Sequence, residues 1–389
     1  MGRGIASVHP FVANDRTMKP QPFKSLVPSI HRASTVVFDN FADFANRRER
    51  QPDGFSYGLT GTPTNRELEQ AISKLHGAAH TVALPSGQAA LVLVLLSFLK
   101  AGDHVIAPDN CYGPTREFLA SNIRSYGIEV TFLPDGSPRV IEEFVKPSTK
   151  LILVESPGSI TMEMQDVESI VRTAKKHSIL TLIDNSWASP LNFQPIAYGV
   201  DLVVEALSKV ISGHSDLLMG SVTTNDTELY KRLRLQQDLL GMYVSPDDCY
   251  LTLRGLETYP LRLERQGKSA LAIANWLESH QLVEKVYYPA LESAEDHPLY
   301  KRLFNGPGSL FSFSLKSDER IGKFFDALNT FAIGASWGGT HSLAAYYPQQ
   351  VMAVRQHNKI TTALIRLSIG LEPIEVLIED LEKALNQLQ

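Results

Sequence analysis

At 389 residues, with 43% hydrophobic and 20% charged residues, the chain is composed like an ordinary soluble globular protein and can bury a large core over two or three domains. A formal net charge of −5 without a basic block argues against nucleic acid as the main partner, because phosphate backbones are held by clustered Lys and Arg. Two cysteines, Cys111 and Cys249, leave no disulfide framework and suit a reducing cytoplasm.

The first residues, Met1-Gly2-Arg3-Gly4-Ile5-Ala6, lead into no apolar core of signal-peptide length. Secretion is therefore not expected. Residues 1–56 are expected to be an irregular arm, broken by Pro10, Pro20, Pro22 and Pro28. A shaped loop, Ser56-Tyr57-Gly58-Leu59-Thr60-Gly61-Thr62-Pro63-Thr64, precedes a helical pattern from Asn65 to Leu75. Thr81 to Leu84 reads as a strand that turns through Ser86-Gly87-Gln88 into an apolar helix from Ala89 to Leu99, about half the length that spans a bilayer. The amides at that helix start, approached closely because Gly87 lacks a side chain, form a place suited to an anion. No membrane association is expected.

Strand and helix continue to alternate. His104 to Pro108 is a short strand, followed by the loop Asp109-Asn110-Cys111-Tyr112-Gly113-Pro114 and a helix from Thr115. Strands are expected at Glu129 to Leu133 and Leu151 to Val154, the latter ending in Glu155-Ser156-Pro157-Gly158-Ser159-Ile160, and a helix at Val167 to His177. Two further apolar runs end in chemistry. Leu180 to Asp184 closes on a carboxylate, and Asp201 to Ala206 feeds into Ser208-Lys209. Open α/β sheets build their sites at the carboxyl ends of strands. A lone lysine there is also compatible with a solvated loop, but an aspartate one crossover earlier pairs with it as pyridoxal phosphate (PLP) requires: one group to form the Schiff base, the other to keep the pyridine nitrogen protonated.

Beyond about Tyr243 the alternation gives way. Asp247 to Glu278 is helical in pattern; strand-like runs follow at Val283 to Tyr288, Leu310 to Leu315, Ala332 to Ala335 and Leu364 to Ile369, with helices at Glu319 to Leu328 and Glu375 to Leu388. This reads as a smaller α/β domain over 246–389, packed on a large one over 57–245. It holds the glycine loop Ser336-Trp337-Gly338-Gly339 and Arg366, a cation inside an apolar strand that needs an anion partner. The eleven histidines form no metal signature, and neither a P-loop nor a dinucleotide-binding glycine motif occurs.

On these motifs the chain, from about Ser56 to Glu372, resembles the Cys/Met-metabolism PLP-dependent enzymes, the transsulfuration group of cystathionine lyases and synthases and methionine γ-lyase. The resemblance implies the aspartate-aminotransferase-like fold (PLP fold type I), a large mixed-sheet domain with a smaller C-terminal α/β domain. It also implies a homotetramer in which dimers share active sites and the arm contacts a neighbour. It identifies Lys209 as the Schiff-base lysine and acid/base, Asp184 as partner of the pyridine nitrogen, and Tyr112 as the ring stacked on the cofactor and available for proton transfer. Gly87, Gln88 and Ser208 become the phosphate cup. Arg366, Ser336 and Trp337 become the substrate-carboxylate site, and Tyr57 reaches in from the neighbouring subunit. The Ser-Pro-Gly-Ser loop and the tryptophan after Ser336 resemble the bacterial cystathionine β-lyases, which implies a sulfur amino acid as substrate and β-elimination to a thiol, pyruvate and ammonia. The γ-acting members use the same residues, and a non-catalytic protein that kept the fold is the alternative outside enzymes. Leu59 departs from the pattern, standing where most members carry an arginine; backbone amides and hydroxyls are expected to offset the phosphate charge instead.

Overall fold

The computed structural model describes residues 24–133, 138–353, 355, 360 and 362–389. Seven strands form the first sheet: β1 (His80–Leu84), β2 (His104–Pro108), β3 (Glu129–Leu133), β4 (Thr149–Glu155), β5 (Leu180–Asp184), β6 (Leu202–Glu205) and β7 (Gly220–Thr224). Their order is β1-β7-β6-β5-β4-β2-β3. From β6 to β3 every pairing is parallel, whereas β7 runs antiparallel to both β6 and β1. Parallel strands need both faces covered, which is why these runs are nearly continuous in Val, Ile and Leu. Within β5 the strand period of two sends Leu182 into a cluster with Leu91, Val94 and Leu202, and Ile183 into the opposite one with Ile152 and Val203. The parallel arrangement brings the carboxyl ends of β2, β4, β5 and β6 to one edge. Asp109, Glu155, Asp184 and the turn after Glu205 are thereby neighbours.

The helices that matter for the site are α1 (Pro63–His76), α2 (Gly87–Phe98), α3 (Gly113–Phe118), α4 (Val167–Lys176), α5 (Thr227–Leu240) and the 33-residue α6 (Pro246–Glu278). Ser86 caps α2, its Oγ accepting from Ala89 N at 3.0 Å. The arm is not wholly irregular, contrary to the sequence expectation. Asn40 accepts from Asp43 N at 3.0 Å and starts a short helix, Phe41–Ala45, followed by a 3-10 turn, Arg47–Arg50. Residues 1–23 of the arm lie outside the described residues.

The second sheet has the order β10-β11-β12-β9-β8, built from β8 (Val283–Tyr287), β9 (Leu310–Leu315), β10 (Ala332–Ile333), β11 (Leu343–Tyr347) and β12 (Leu364–Ser368). Helices α7 (Ile321–Asp326) and α8 (Ile374–Asn386) cover it. One continuous core joins Ile152, Ile183 and Val203 of the first sheet to Phe311, Phe313 and Leu367 of the second and Leu381 of α8. No helix among the described residues is long and apolar enough to cross a membrane.

Candidate active site

Lys209 sits in the tight turn that follows β6. Its N–H donates to Ala206 O at 3.0 Å, and Gly213 N returns to Lys209 O at 2.8 Å. Arg262, reaching from α6, donates to the carbonyls of Val210 (2.7 Å) and Ile211 (3.0 Å), so that this turn is clamped from beneath. Gly213 has φ +70°, and a Cβ there would stand 1.7 Å from Arg262 Nη1; only glycine admits the clamp. Arg262 was not singled out from the sequence, because an arginine inside a long polar helix carries no signal of what it reaches.

The lysine amine points to the second sheet. Nζ donates to Ser336 Oγ at 3.0 Å and lies 5.3 Å from the centre of the Trp337 ring. Gly338 follows at φ +85°, where a Cβ would meet Val210 N at 2.8 Å and Lys209 C at 3.0 Å. The glycine loop of the second sheet therefore lies directly on the backbone that carries the lysine. Burial and the Arg366 guanidinium lower the Lys209 pKa to about 8, with Asp184 acting the other way.

Asp184 ends β5 and accepts from Ser186 N at 3.0 Å. Burial raises its carboxyl above the usual range, against the hydrogen bonds of Ser186 and the Lys209 charge. Glu155 is its register partner on β4, and burial together with Asp184 pushes the Glu155 carboxyl well upward. Glu155 Oε2 accepts from Tyr112 N at 2.7 Å, which sets the tyrosine loop against the strand ends. In the sequence alone Glu155 is no more than the opening of a loop. Burial raises the Tyr112 phenol, with Asp184 and Tyr347 adding and Arg366 opposing, so the ring stands within electrostatic reach of both ends of the site while its surface remains partly exposed.

Arg366 lies in the middle of β12, 6% exposed, between Ser312 of β9 and Ala345 of β11. Nη2 donates to Ala335 O at 2.5 Å, and the guanidinium lies 5.0 Å from the centre of the Tyr347 ring. Burial lowers its pKa, opposed by the phenols of Tyr347 and Tyr112. Among the described residues no carboxylate forms an ion pair with it, an expensive state for a buried cation unless an anion arrives.

Around this centre, Gly87 opens α2 so close to the exit of β6 that a Cβ would meet Ala206 Cβ at 2.8 Å, which brings the α2 amides of Gly87 and Gln88 beside the Ser208-Lys209 turn. The Gln88 side chain is engaged with Thr115 Oγ1 at 3.2 Å. Tyr57, 52% exposed, makes no described contact with Lys209, Asp184 or Arg366 within the chain. Leu59 belongs to a 3-10 turn, Gly58–Thr60, and the nearby Arg66 is already committed to Glu69 (2.9 Å) and to Asp53 O (3.0 Å). Trp187 is a core residue: it is buried and its Nε1 donates to Leu310 O at 2.9 Å. His214 hydrogen-bonds Ser212 O through Nδ1 at 2.5 Å.

Known proteins are similar to this chain over most of its length. The cystathionine beta-lyase MetC of Escherichia coli is 36% identical over 91% of this chain and 91% of its own length. The L-alanine/L-glutamate racemase of Wolbachia pipientis is 37% identical over 94% of this chain and 93% of its own. In three dimensions, the crystal structure of cystathionine gamma synthase from Xanthomonas oryzae in complex with cystathionine superposes with a TM-score of 0.87 at 33% identity, covering 93% of each chain. The family model described as Cys/Met metabolism PLP-dependent enzyme matches residues 11–386, and the chain belongs to that family.

Proposed function

We propose that the protein is a carbon-sulfur lyase that carries out β-elimination on cystathionine or a related cysteine S-conjugate. Cystathionine and water give homocysteine, pyruvate and ammonia. The observation that carries this reading is the meeting of Lys209, with its lowered pKa, and the buried Arg366 across the junction of the two sheets, with Asp184 behind them.

The residues fit pyridoxal phosphate: an amine free of ion pairs among the described residues, a buried carboxylate at the end of the neighbouring strand, and a helix N-terminus beside the lysine turn. Lys209 would hold the aldehyde, Asp184 the ring nitrogen, Tyr112 the ring face, and the amides of Gly87 and Gln88 with the Ser208 hydroxyl the phosphate. Bound there, the group supplies an electron sink for the carbanion at Cα. Arg366 binds the substrate carboxylate through its planar fork, and Ser336 and Trp337 close the same end. Lys209, with its lowered pKa, would remove the substrate α-proton. Tyr112, kept protonated by burial and by Asp184, can donate a proton to the departing thiolate. Glu155 holds the Tyr112 backbone in place for that role.

Around this chemistry we place an arm over 1–56, a large domain over 57–245 and a small domain over 246–389. The assembly is a cytoplasmic homotetramer whose neighbouring subunit supplies Tyr57. The exposure of Tyr57, which makes no described contact with the site residues of its own chain, supports that sharing.

Product analysis tests the reaction. Incubation with cystathionine is expected to yield pyruvate and homocysteine in equal amounts; 2-oxobutanoate would instead assign γ-chemistry, which uses the same groups with a further proton shift from Cβ. A second reading follows from the racemase relative. Racemisation begins with the same α-proton removal and needs a donor to return a proton to the opposite face, for which the Tyr112 phenol qualifies. Appearance of D-alanine from L-alanine without an α-keto acid would favour it.

A lysine attacks an aldehyde only as the free amine. Since Lys209 is lowered to about 8, cofactor capture by the stripped protein is expected to speed up as pH rises and to level off above about 8, where an ordinary lysine would keep gaining to about 10. Stopped-flow absorbance across pH measures this; a rate still climbing at pH of about 10 would show an ordinary amine.

A further inference from the structure

Directly behind the β5–β6 turn lies a second set of buried ionisable groups that the mechanism above does not use. Glu205 closes β6, 1% exposed, and His76 closes α1, also 1% exposed. His76 Nε2 is 3.8 Å from Glu205 Oε1, and neither imidazole nitrogen has a hydrogen-bond partner among the described residues. Asn185, next to Asp184, donates through Nδ2 to Glu205 Oε1 at 2.9 Å and to Phe193 O at 3.1 Å. Ser221 of β7 is the register partner of Glu205, which puts its hydroxyl on the same face, buried and unpartnered. The groups that bear on Glu205 are thus Asp184 at the end of β5, Asn185 just after it, Ser221 from β7, His76 from α1 and Tyr259 from α6.

No Lys or Arg pairs with Glu205 among the described residues, and Asp184 acts on it as a like charge. A second anion here would compete with Asp184 for the charge of a bound pyridinium and raise the Asp184 carboxyl further. An ionised Glu205 with a protonated His76 would bury two charges whose desolvation a pair 3.8 Å apart does not offset. A neutral imidazole donating its Nε2–H to Oε1 of a neutral acid, the oxygen that also accepts from Asn185, avoids both, and reaching hydrogen-bond length from 3.8 Å takes a movement of only about 1 Å. Burial acts in the same sense on each group, raising the Glu205 carboxyl well above its ordinary value and lowering His76 to about 3.

We propose that Glu205 and His76 form a neutral, hydrogen-bonded pair, a positioning unit that fixes Asn185 and leaves the negative charge of this layer on Asp184. The inference rests on Asp184 being the partner of the cofactor ring, as read above, but its protonation states can be measured without turnover. Infrared spectra at neutral pH are expected to show a protonated carboxylic acid band that Glu205→Gln removes. With nitrogen-labelled histidine, the resonance lost in His76→Gln should stay that of a neutral imidazole at a pH about one unit below the ordinary histidine value. Glu205→Ala should weaken cofactor binding about tenfold by removing the acceptor of Asn185, and Glu205→Gln, which keeps an oxygen there, should restore most of it. Loss of a carboxylate band in Glu205→Gln, or a His76 resonance that titrates near the ordinary value, overturns the neutral pair. Equal cofactor affinity in Glu205→Ala and Glu205→Gln overturns the positioning role. Were the infrared and nitrogen results obtained while Asp184→Asn left cofactor and activity unchanged, the pair would stand and the reading of Asp184 would fail.

Discussion

Lys209→Ala is expected to abolish the visible absorption band of the bound cofactor and to lower cystathionine turnover by about four orders of magnitude. On the proposed mechanism both losses come from one nitrogen, because the same amine would anchor the aldehyde and take the α-proton. The fold should survive, because the amine is only half-buried and its single described hydrogen bond is to Ser336 Oγ. The turn itself is held by backbone bonds and by Arg262, neither of which the substitution touches. Far-ultraviolet circular dichroism should therefore match the parent. Lys209→Arg separates charge from nucleophile: a guanidinium preserves the cation but cannot form the imine, and it should be as inactive as the alanine variant. A retained band in either variant would mean that another amine carries the cofactor.

Much of this site could be read before the coordinates, for a physical reason. The parallel sheet requires buried apolar runs, these end abruptly at polar residues, and their carboxyl ends share an edge, so Asp184 and Lys209 announce themselves by position. What escaped depends on approach between distant segments. Arg262 reaches the lysine turn from the middle of α6, and Glu155 matters because register places it beside Asp184 and under Tyr112 N. Neither relation leaves a local pattern. Strand β11 was missed because Leu343-Ala344-Ala345-Tyr346-Tyr347 is weak in branched residues and is held by its neighbour β12. Its Tyr347, beside Arg366, went unnoticed with it. Helix α5 did carry signals in Asp226 and Gly241 at its two ends, the first accepting from Leu229 N at 3.0 Å and the second in the left-handed conformation. The arm misled in the opposite sense: its prolines hid the Asn40 cap and the short helix that follows it.

The second large effect is expected at Arg366, where removal of charge should separate binding from cofactor chemistry. In Arg366→Leu the KM for cystathionine should rise about a hundredfold or more, the scale for truncating one partner of a buried, hydrogen-bonded charge pair, while the cofactor band stays in place. The reasoning starts from the chain without substrate. The guanidinium is buried in β12, bonds Ala335 O, and has no carboxylate partner among the described residues. Its desolvation is therefore only partly compensated until an anion binds, and on the proposed function the substrate α-carboxylate would supply one in bidentate geometry. For the same reason the leucine variant should melt no lower than the parent in the absence of substrate, and higher if the leucine packs against Tyr347. Arg366→Lys keeps a charge without the fork and should fall between the two in KM. A residue whose purpose was structural would behave differently: its loss would lower the melting temperature and leave KM nearly as it was. Thermal melts without substrate, set beside KM values for the two variants, decide between these outcomes.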